Sequence, residues 1–408
     1  MSEVPAKVLY CEGNADGTVG GSYFCLLYLA KGLDRSRYEP MAVFQNEHSL
    51  LPEFHAAGIR TFIWPKPVSF TFGDRLSERP GVTRSIQMAG MAIQRILNFL
   101  RKFVFTAMSL AWFLRREGVQ IVHLNNTIQY NHDWMFAARL ARIKCIVHER
   151  GINASFSKAA KYFAKRLDAV ICISNAVRQN MRERGVDQGN VLTIYDGMDP
   201  DAKQRHTTPD ALRGAYGIDS GAAIVGMVGN IKEWKGQHTA IRAIDLVRKI
   251  FPSVRCVLVG DTAPENLEYE RGLRALVRSL ELDQHVIFAG FQKHVADHLM
   301  MFDVVIHASV LPEPFGMVVL EAMACSKPVI GARSGAIPEI IEEGRTGLTF
   351  PPGDWERLAD AIVTLLGDPP LAQSMGRNGL DRLAKEFHVS KNIESVQQLY
   401  QRVLCEAS

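Results

Sequence analysis

Two glutamates, Glu313 and Glu321, stand eight positions apart in the run EPFGMVVLE. Glu313 follows a short apolar strand pattern, and Pro314 and Gly316 break the chain before an apolar helix pattern over 317–325. A helix N-terminus presents backbone N–H groups without intrahelical partners and a partial positive charge, which suits a diphosphate. A carboxylate accepts two hydrogen bonds side by side, so glutamates at the mouth and inside such a helix suit sugar hydroxyls. The apolar neighbours Val319, Leu320 and Met323 argue against a solvated position for Glu321. The run 229–236, GNIKEWKG, lies between a strand pattern and a helix pattern, where a lysine is well placed for phosphate. Lys235 is the first choice and Lys232 the second. Two histidines, His123 and His148, end consecutive strand patterns, where open parallel sheets hold their ligands.

Other chemistry is excluded or weak. Gly-Lys never occurs, which removes the P-loop, and the loop after the first strand reads GTVGG over 17–21 rather than GxGxxG. There is no HExxH, and the lone DxD, Asp199 to Asp201, sits in a turn, so no metal site is expected. The seven cysteines include no CxxC pair and read as reduced core thiols. A formal net charge of +4 is too small to imply nucleic acid.

The elements that must carry these residues alternate. Strands are expected at 7–11, 40–45, 60–64, 119–124, 144–148 and 169–173, with helical patterns between them. The alternation restarts with strands at 222–228, 254–259, 285–289, 304–308 and 328–331, and closes on helices at 355–366, 371–387 and 390–405. This is the signature of two α/β units, each a parallel sheet covered on both faces. The polar run 200–209 is the expected linker. The stretch 79–116 is long and basic, with an apolar period near 3.6. It reads either as a helix over the first sheet or as a basic amphipathic surface for a membrane or lipid-linked substrate. Its most apolar part, 103–114, is too short to span a bilayer, and no secretory leader is expected.

Together these residues resemble one family, the retaining GT-B glycosyltransferases of family 4, the glycosyl transferases group 1 type. The resemblance runs over nearly the whole chain. It rests on the E-x7-E run from Glu313 to Glu321, the WKGQ lysine Lys235 and the glycines Gly20-Gly21 before Ser22. It also rests on Tyr195 to Asp199, the pattern from Pro328 through Gly335 to Pro338-Glu339, GRTGL over 344–348 and the Pro-Gly-Asp ending at Asp354.

The resemblance implies two Rossmann-like domains facing across a cleft: an acceptor domain over 1–205, a donor domain over 206–388, and a terminal helix over 389–408 returning to the first. It implies transfer of a sugar from a nucleoside-diphosphate sugar to a saccharide or lipid-linked acceptor, without another cofactor. The setting it implies is envelope or exopolysaccharide assembly in the cytoplasm, with peripheral contact at the inner membrane face. By position, Glu313 and His148 match residues near the donor sugar, Lys235 the lysine at the leaving phosphate and Glu321 the ribose ligand. The backbone of Phe315, Gly316, Met317 and Val318 matches the diphosphate cradle, Phe291 and Gln292 the base site, and Gly20 and Gly21 the first domain's approach to the phosphates. Asn230 stands where many relatives carry a phosphate-binding arginine, leaving Lys232 as a second charge. A nucleotide-sugar epimerase on the same fold and a non-catalytic nucleotide-sugar-binding partner are the competing readings.

Overall fold

The computed structural model describes residues 4–13, 19–77, 83–202 and 206–406. Its contacts divide the chain into two units. The first comprises Met1–Ile173, Arg178–Ile194 and Ile393–Ser408; the second comprises Ser174–Val177 and Tyr195–Asn392. The change of unit at Tyr195 therefore comes before the 205/206 boundary expected from composition, because 195–199 already pack with the second unit. Of the expected linker, 203–205 lie outside the described residues, as do Gly17 of the first glycine loop and 79–82 of the long basic stretch.

The first unit holds seven strands: β1 (Ala6–Glu12), β2 (Tyr38–Phe44), β3 (Arg60–Ile63), β4 (Ile121–Asn126), β5 (Lys144–Glu149), β6 (Ala169–Cys172) and β7 (Val191–Thr193). They pair in parallel in the order β3-β2-β1-β4-β5-β6-β7. Val8, Leu9, Tyr10 and Cys11 of β1 are all buried, as a strand covered on both faces requires. The order reverses between β1 and β4, and ligands of doubly wound sheets bind beyond the carboxyl ends at such a reversal. The three-residue edge strand β7 is too short to show a pattern in the sequence.

The second unit repeats the plan with β8 (Ile224–Val228), β9 (Arg255–Val259), β10 (Val286–Gly290), β11 (Val304–His307), β12 (Val329–Ala332) and β13 (Gly347–Phe350). The order is β10-β9-β8-β11-β12-β13, all parallel, with its reversal between β8 and β11. β13 was not expected: Gly347 looks like turn chemistry, yet it pairs with Val329. An added Cβ on Gly347 would come within 2.3 Å of the Val329 carbonyl oxygen, so only glycine lets the two strands meet there.

Helix α1 (Gly21–Gly32) follows the first glycine loop. Helix α2 (Arg84–Phe99) runs through a π-helical turn, Leu100–Phe105, into α3 (Thr106–Glu117). The resulting Arg84–Glu117 helix has 34 residues and is long and apolar enough to cross a membrane. That corrects the expectation from the twelve apolar residues alone. One face of its last third belongs to the domain core, however: Ala107, Leu110, Ala111, Phe113 and Leu114 of α3 are buried. The final helix, Val389–Cys405, begins among second-unit residues and ends in the first. Its Val396, Leu399, Tyr400 and Val403 belong to the first unit's core. All seven cysteines are free, but Cys325 is only half-buried and Cys405 is exposed, so neither is the core thiol expected.

Candidate active site

The reversal point of the second sheet determines which loops meet. The β8 strand runs into Gly229, Asn230 and a short 3-10 turn, Glu233–Lys235. The β11 strand ends at His307 and leads to Ser309 and Glu313, before helix α4 (Met317–Ala324). Lys235 and Glu313 thus come from neighbouring strands, and the Lys235 ammonium donates to Glu313 Oε2 at 2.8 Å. His307 Nε2 and Ser309 Oγ approach the same oxygen, each at 3.0 Å. These bonds end on Oε2, and Oε1 has no hydrogen-bond partner among the described residues. Glu313 is 9 % exposed. Burial opposes its ionisation, but the His307 hydrogen bond and the Lys235 charge outweigh that penalty and hold its carboxyl down at about 2. Glu313 is therefore a carboxylate with one oxygen anchored and the other open.

Close backbone packing sets this geometry. Gly236 has φ +78°, and a Cβ there would lie 2.0 Å from the Ala308 carbonyl oxygen, so glycine lets the lysine turn press on the end of β11. Gly316 caps α4 with φ +104°, and no side chain caps that terminus. Backbone N–H groups of the first turn of α4 are thus open to an anion. Phe315 itself is buried, its ring 6.2 Å from that of Phe387, so only its backbone can face a ligand. Glu321 lies one turn further along α4 and is half-buried.

Lys235 also lies over the Trp234 ring, 4.0 Å from its centroid. Lys232 is half-buried; its carbonyl accepts from the Lys235 N–H at 2.9 Å, and its side chain has no ion pair or hydrogen bond among the described residues. The Asn230 side chain is exposed, and its backbone carbonyl accepts from Gln237 at 3.0 Å. Beyond β10, Phe291 is 70 % exposed, and Gln292 donates to the Ala289 carbonyl at 2.8 Å. The DxD folds onto itself, with the Asp201 N–H donating to Asp199 at 2.9 Å.

In the first unit, His148 is buried at the carboxyl end of β5, while His123, expected to end its strand, is buried in the middle of β4, because β4 runs on to Asn126. Their ring planes are 17° apart and their centroids 5.2 Å. Around them lies a polar cluster that sequence reasoning missed. The Glu12 carboxylate accepts from Asn125 at 2.5 Å and from Asn126, whose φ is +108°. Arg150 donates to Asn125 at 2.7 Å. The signal for Glu12 was available, since it ends β1 at the sheet reversal. The signal for His307 was the same at β11. Gly20 and Gly21 precede and open α1, and an added Cβ at either meets no atom within 4 Å. Packing among the described residues gives no reason for glycine at these two positions.

Two family models match consecutive parts of the chain: Glycosyltransferase Family 4 over residues 19–202 and Glycosyl transferases group 1 over residues 209–382. The chain is 28% identical over 309 residues to N-acetyl-alpha-D-glucosaminyl L-malate synthase of Bacillus anthracis, covering 73% of this chain and 78% of that one. It is 25% identical over 247 residues to the lipopolysaccharide core mannosyltransferase LpsB of Rhizobium meliloti, covering 60% and 68%. Among solved structures, HepE of Anabaena in complex with UDP superposes with a TM-score of 0.80 at 24% identity, covering 97% of this chain and 100% of that one. With both halves matched in order and the two-sheet fold shared, the chain belongs to the GT-B glycosyltransferases of family 4, the glycosyl transferases group 1 type.

Proposed function

We propose that the chain transfers a sugar from a nucleoside-diphosphate sugar to a hydroxyl of a saccharide acceptor, with retention of anomeric configuration. The observation that carries this reading is the Lys235–Glu313 pair beside the uncapped N-terminus of α4. Glu313 Oε1 offers an acceptor to a sugar hydroxyl. Lys235 and the first turn of α4 supply fixed positive electrostatics for the diphosphate that leaves. Because Glu313 already offsets the Lys235 charge, Lys232 is the cation that adds net attraction for phosphate. Phe291 gives the base an exposed ring to stack on, and Glu321 takes the ribose. Gly20 and Gly21, whose missing Cβ atoms leave open space, let backbone approach phosphate. His148 contacts the donor sugar.

We further infer that the chain works in the cytoplasm, in envelope polysaccharide or glycolipid assembly, on the inner face of a membrane. The lipopolysaccharide core mannosyltransferase named above supports the envelope setting, and the surface of the Arg84–Glu117 helix supports the membrane contact. Ile86, Met88, Ile93, Ile96, Phe99, Phe105, Met108 and Trp112 are each more than half exposed. Arg84, Arg95, Arg101, Lys102, Arg115 and Arg116 accompany them, and the sequence from Arg84 to Arg116 holds no acidic residue. Exposed aromatic and aliphatic side chains beside cations suit the interface of an anionic bilayer, with the helix lying in its plane.

Three experiments test these readings. Calorimetry with UDP, GDP, ADP and CMP should find one nucleotide that binds wild type and is lost in Glu321→Ala. A panel of matching sugar nucleotides, with the anomeric proton of the product read by NMR, should show turnover with retention. Binding without turnover would favour the non-catalytic reading, and an inverted product would refute retention. For the surface, the full chain should sediment with phosphatidylglycerol vesicles and not with phosphatidylcholine vesicles, and Arg101→Glu/Lys102→Glu should abolish sedimentation.

A further inference from the structure

A buried run of hydrogen bonds in the first unit leads from the terminal helix to His148. Tyr400 Oη donates to Tyr10 Oη at 3.0 Å. His123 Nδ1 lies 2.5 Å from Tyr400 Oη, and His123 Nε2 lies 3.2 Å from His148 Nδ1. All four side chains are at most 1 % exposed. The run ends at His148 Nε2, a buried atom with no hydrogen-bond partner among the described residues. An apolar core gains nothing from four linked polar groups, and an unsatisfied buried nitrogen at the end of the run is costly. That nitrogen belongs to the penultimate residue of β5, at the carboxyl edge of the sheet, where a ligand can satisfy it.

The run has a direction. A neutral imidazole carries one N–H, so of two bonded ring nitrogens one must donate and the other accept. Both rings are neutral: burial, reinforced by the Arg150 charge, lowers His123 to about 3 and His148 well below the usual histidine range. The Tyr400 hydrogen is spent on Tyr10, so the Tyr400 oxygen accepts from His123 Nδ1–H. His123 Nε2 is then a lone pair and accepts from His148 Nδ1–H. His148 Nε2 is left unprotonated.

We propose that Tyr400, acting through His123, is a positioning residue that fixes His148 in the Nδ1–H tautomer, so that His148 Nε2 accepts a hydrogen bond from a hydroxyl of the donor sugar. The second half rests on the reading of His148 given above; the tautomer itself does not. Tyr10 completes the device by holding the Tyr400 hydrogen.

The test uses full-length protein labelled with 15N-histidine, with the His148 signals assigned by their loss in His148→Gln. Wild type should show an unprotonated Nε2 and a protonated Nδ1. Tyr400→Phe keeps the ring and deletes the hydroxyl, so the tautomers should mix. Its kcat, on the sugar nucleotide turned over fastest in the panel above, should fall about tenfold, the size of one lost hydrogen bond. Its affinity for the matching nucleoside diphosphate should not change. Tyr10→Phe frees the Tyr400 hydrogen for His123 Nδ1 and should invert the tautomer, leaving His148 Nε2 protonated; it serves if Tyr400→Phe fails to fold. A protonated Nε2 in wild type, or tautomer and kcat both unmoved in the variants, overturns the proposal. A moved tautomer with unmoved kcat overturns its functional half. If His148→Gln turns over normally, the reading of His148 fails while the tautomer result stands.

Discussion

Gly335 and Glu313 touch so closely that a Cβ added to Gly335 would lie 2.1 Å from the Glu313 carbonyl oxygen and 2.5 Å from its nitrogen. Gly335 has φ +59°, and the next residue, Ala336, donates its N–H to the Glu313 carbonyl at 2.9 Å. Gly335 belongs to the pattern running from Pro328 to Glu339, which is therefore the back wall that positions the Glu313 backbone. Gly335→Ala should lower stability by on the order of 2 kcal/mol or more, from the left-handed backbone and the clash together. Turnover should fall with it. Denaturant midpoints and steady-state rates check both, and an unchanged midpoint would refute the packing account.

Glu313→Gln keeps the shape of the site but removes the charge that Lys235 and His307 address. Turnover should fall by about 10²-fold or more, as for loss of one preorganised electrostatic partner. The pH behaviour follows from the depressed carboxyl. A carboxylate held at about 2 in the fold adds stability that is full above its unfolded value near about 4.3 and is lost as pH falls through 2. Lys235→Met should raise the Glu313 carboxyl and shrink that loss. The difference in melting temperature between pH 6 and pH 3, compared across the two proteins, measures it.

Lys232 and Asn230 set the grip on phosphate. Lys232→Ala should weaken binding of the preferred nucleoside diphosphate about tenfold, since one charged hydrogen bond contributes roughly 1.5–3 kcal/mol. Asn230→Arg should strengthen it by a similar factor. Calorimetry reads both, and equal affinity in all three proteins would remove these positions from the phosphate site.

Glu149 behaves in the opposite sense to Glu313. It is fully buried and accepts from Thr127 Oγ1 and the Ile128 N–H, each at 2.9 Å. Burial outweighs these bonds and pushes its carboxyl up to about 7. The folded state therefore holds a proton that the unfolded chain releases, so stability falls as pH rises from about 4.3 to 7. Glu149→Gln should flatten that slope in thermal melts.

Much of this was legible in the sequence, for identifiable reasons. The nine inner strands of the two sheets are mostly apolar runs and could be located from the chain alone, as could the edge strands β3 and β10. The edge strand β7 and the glycine-led β13 could not, because pairing rather than pattern makes them strands. Lys235 and Glu313 were found because each sits in a loop with turn chemistry at both ends. Their contact was not visible, since 78 residues separate them and only the reversal between β8 and β11 makes those loops neighbours. Tyr400 escaped notice for the same reason, 277 residues from His123 and on a helix whose apolar face looks like any other.

The terminal helix bears on how the protein is made. The first unit is built from stretches far apart in the chain, those up to Ile194 and Ile393–Ser408, and nearly all of the second unit is synthesised between them. Its core is short of Val396, Leu399, Tyr400 and Val403 until the stretch that follows the second unit has been made. The nascent chain therefore carries an uncovered apolar strip beside Val8 and Tyr38 throughout synthesis of the second unit, a place for a chaperone to hold until the strip is covered.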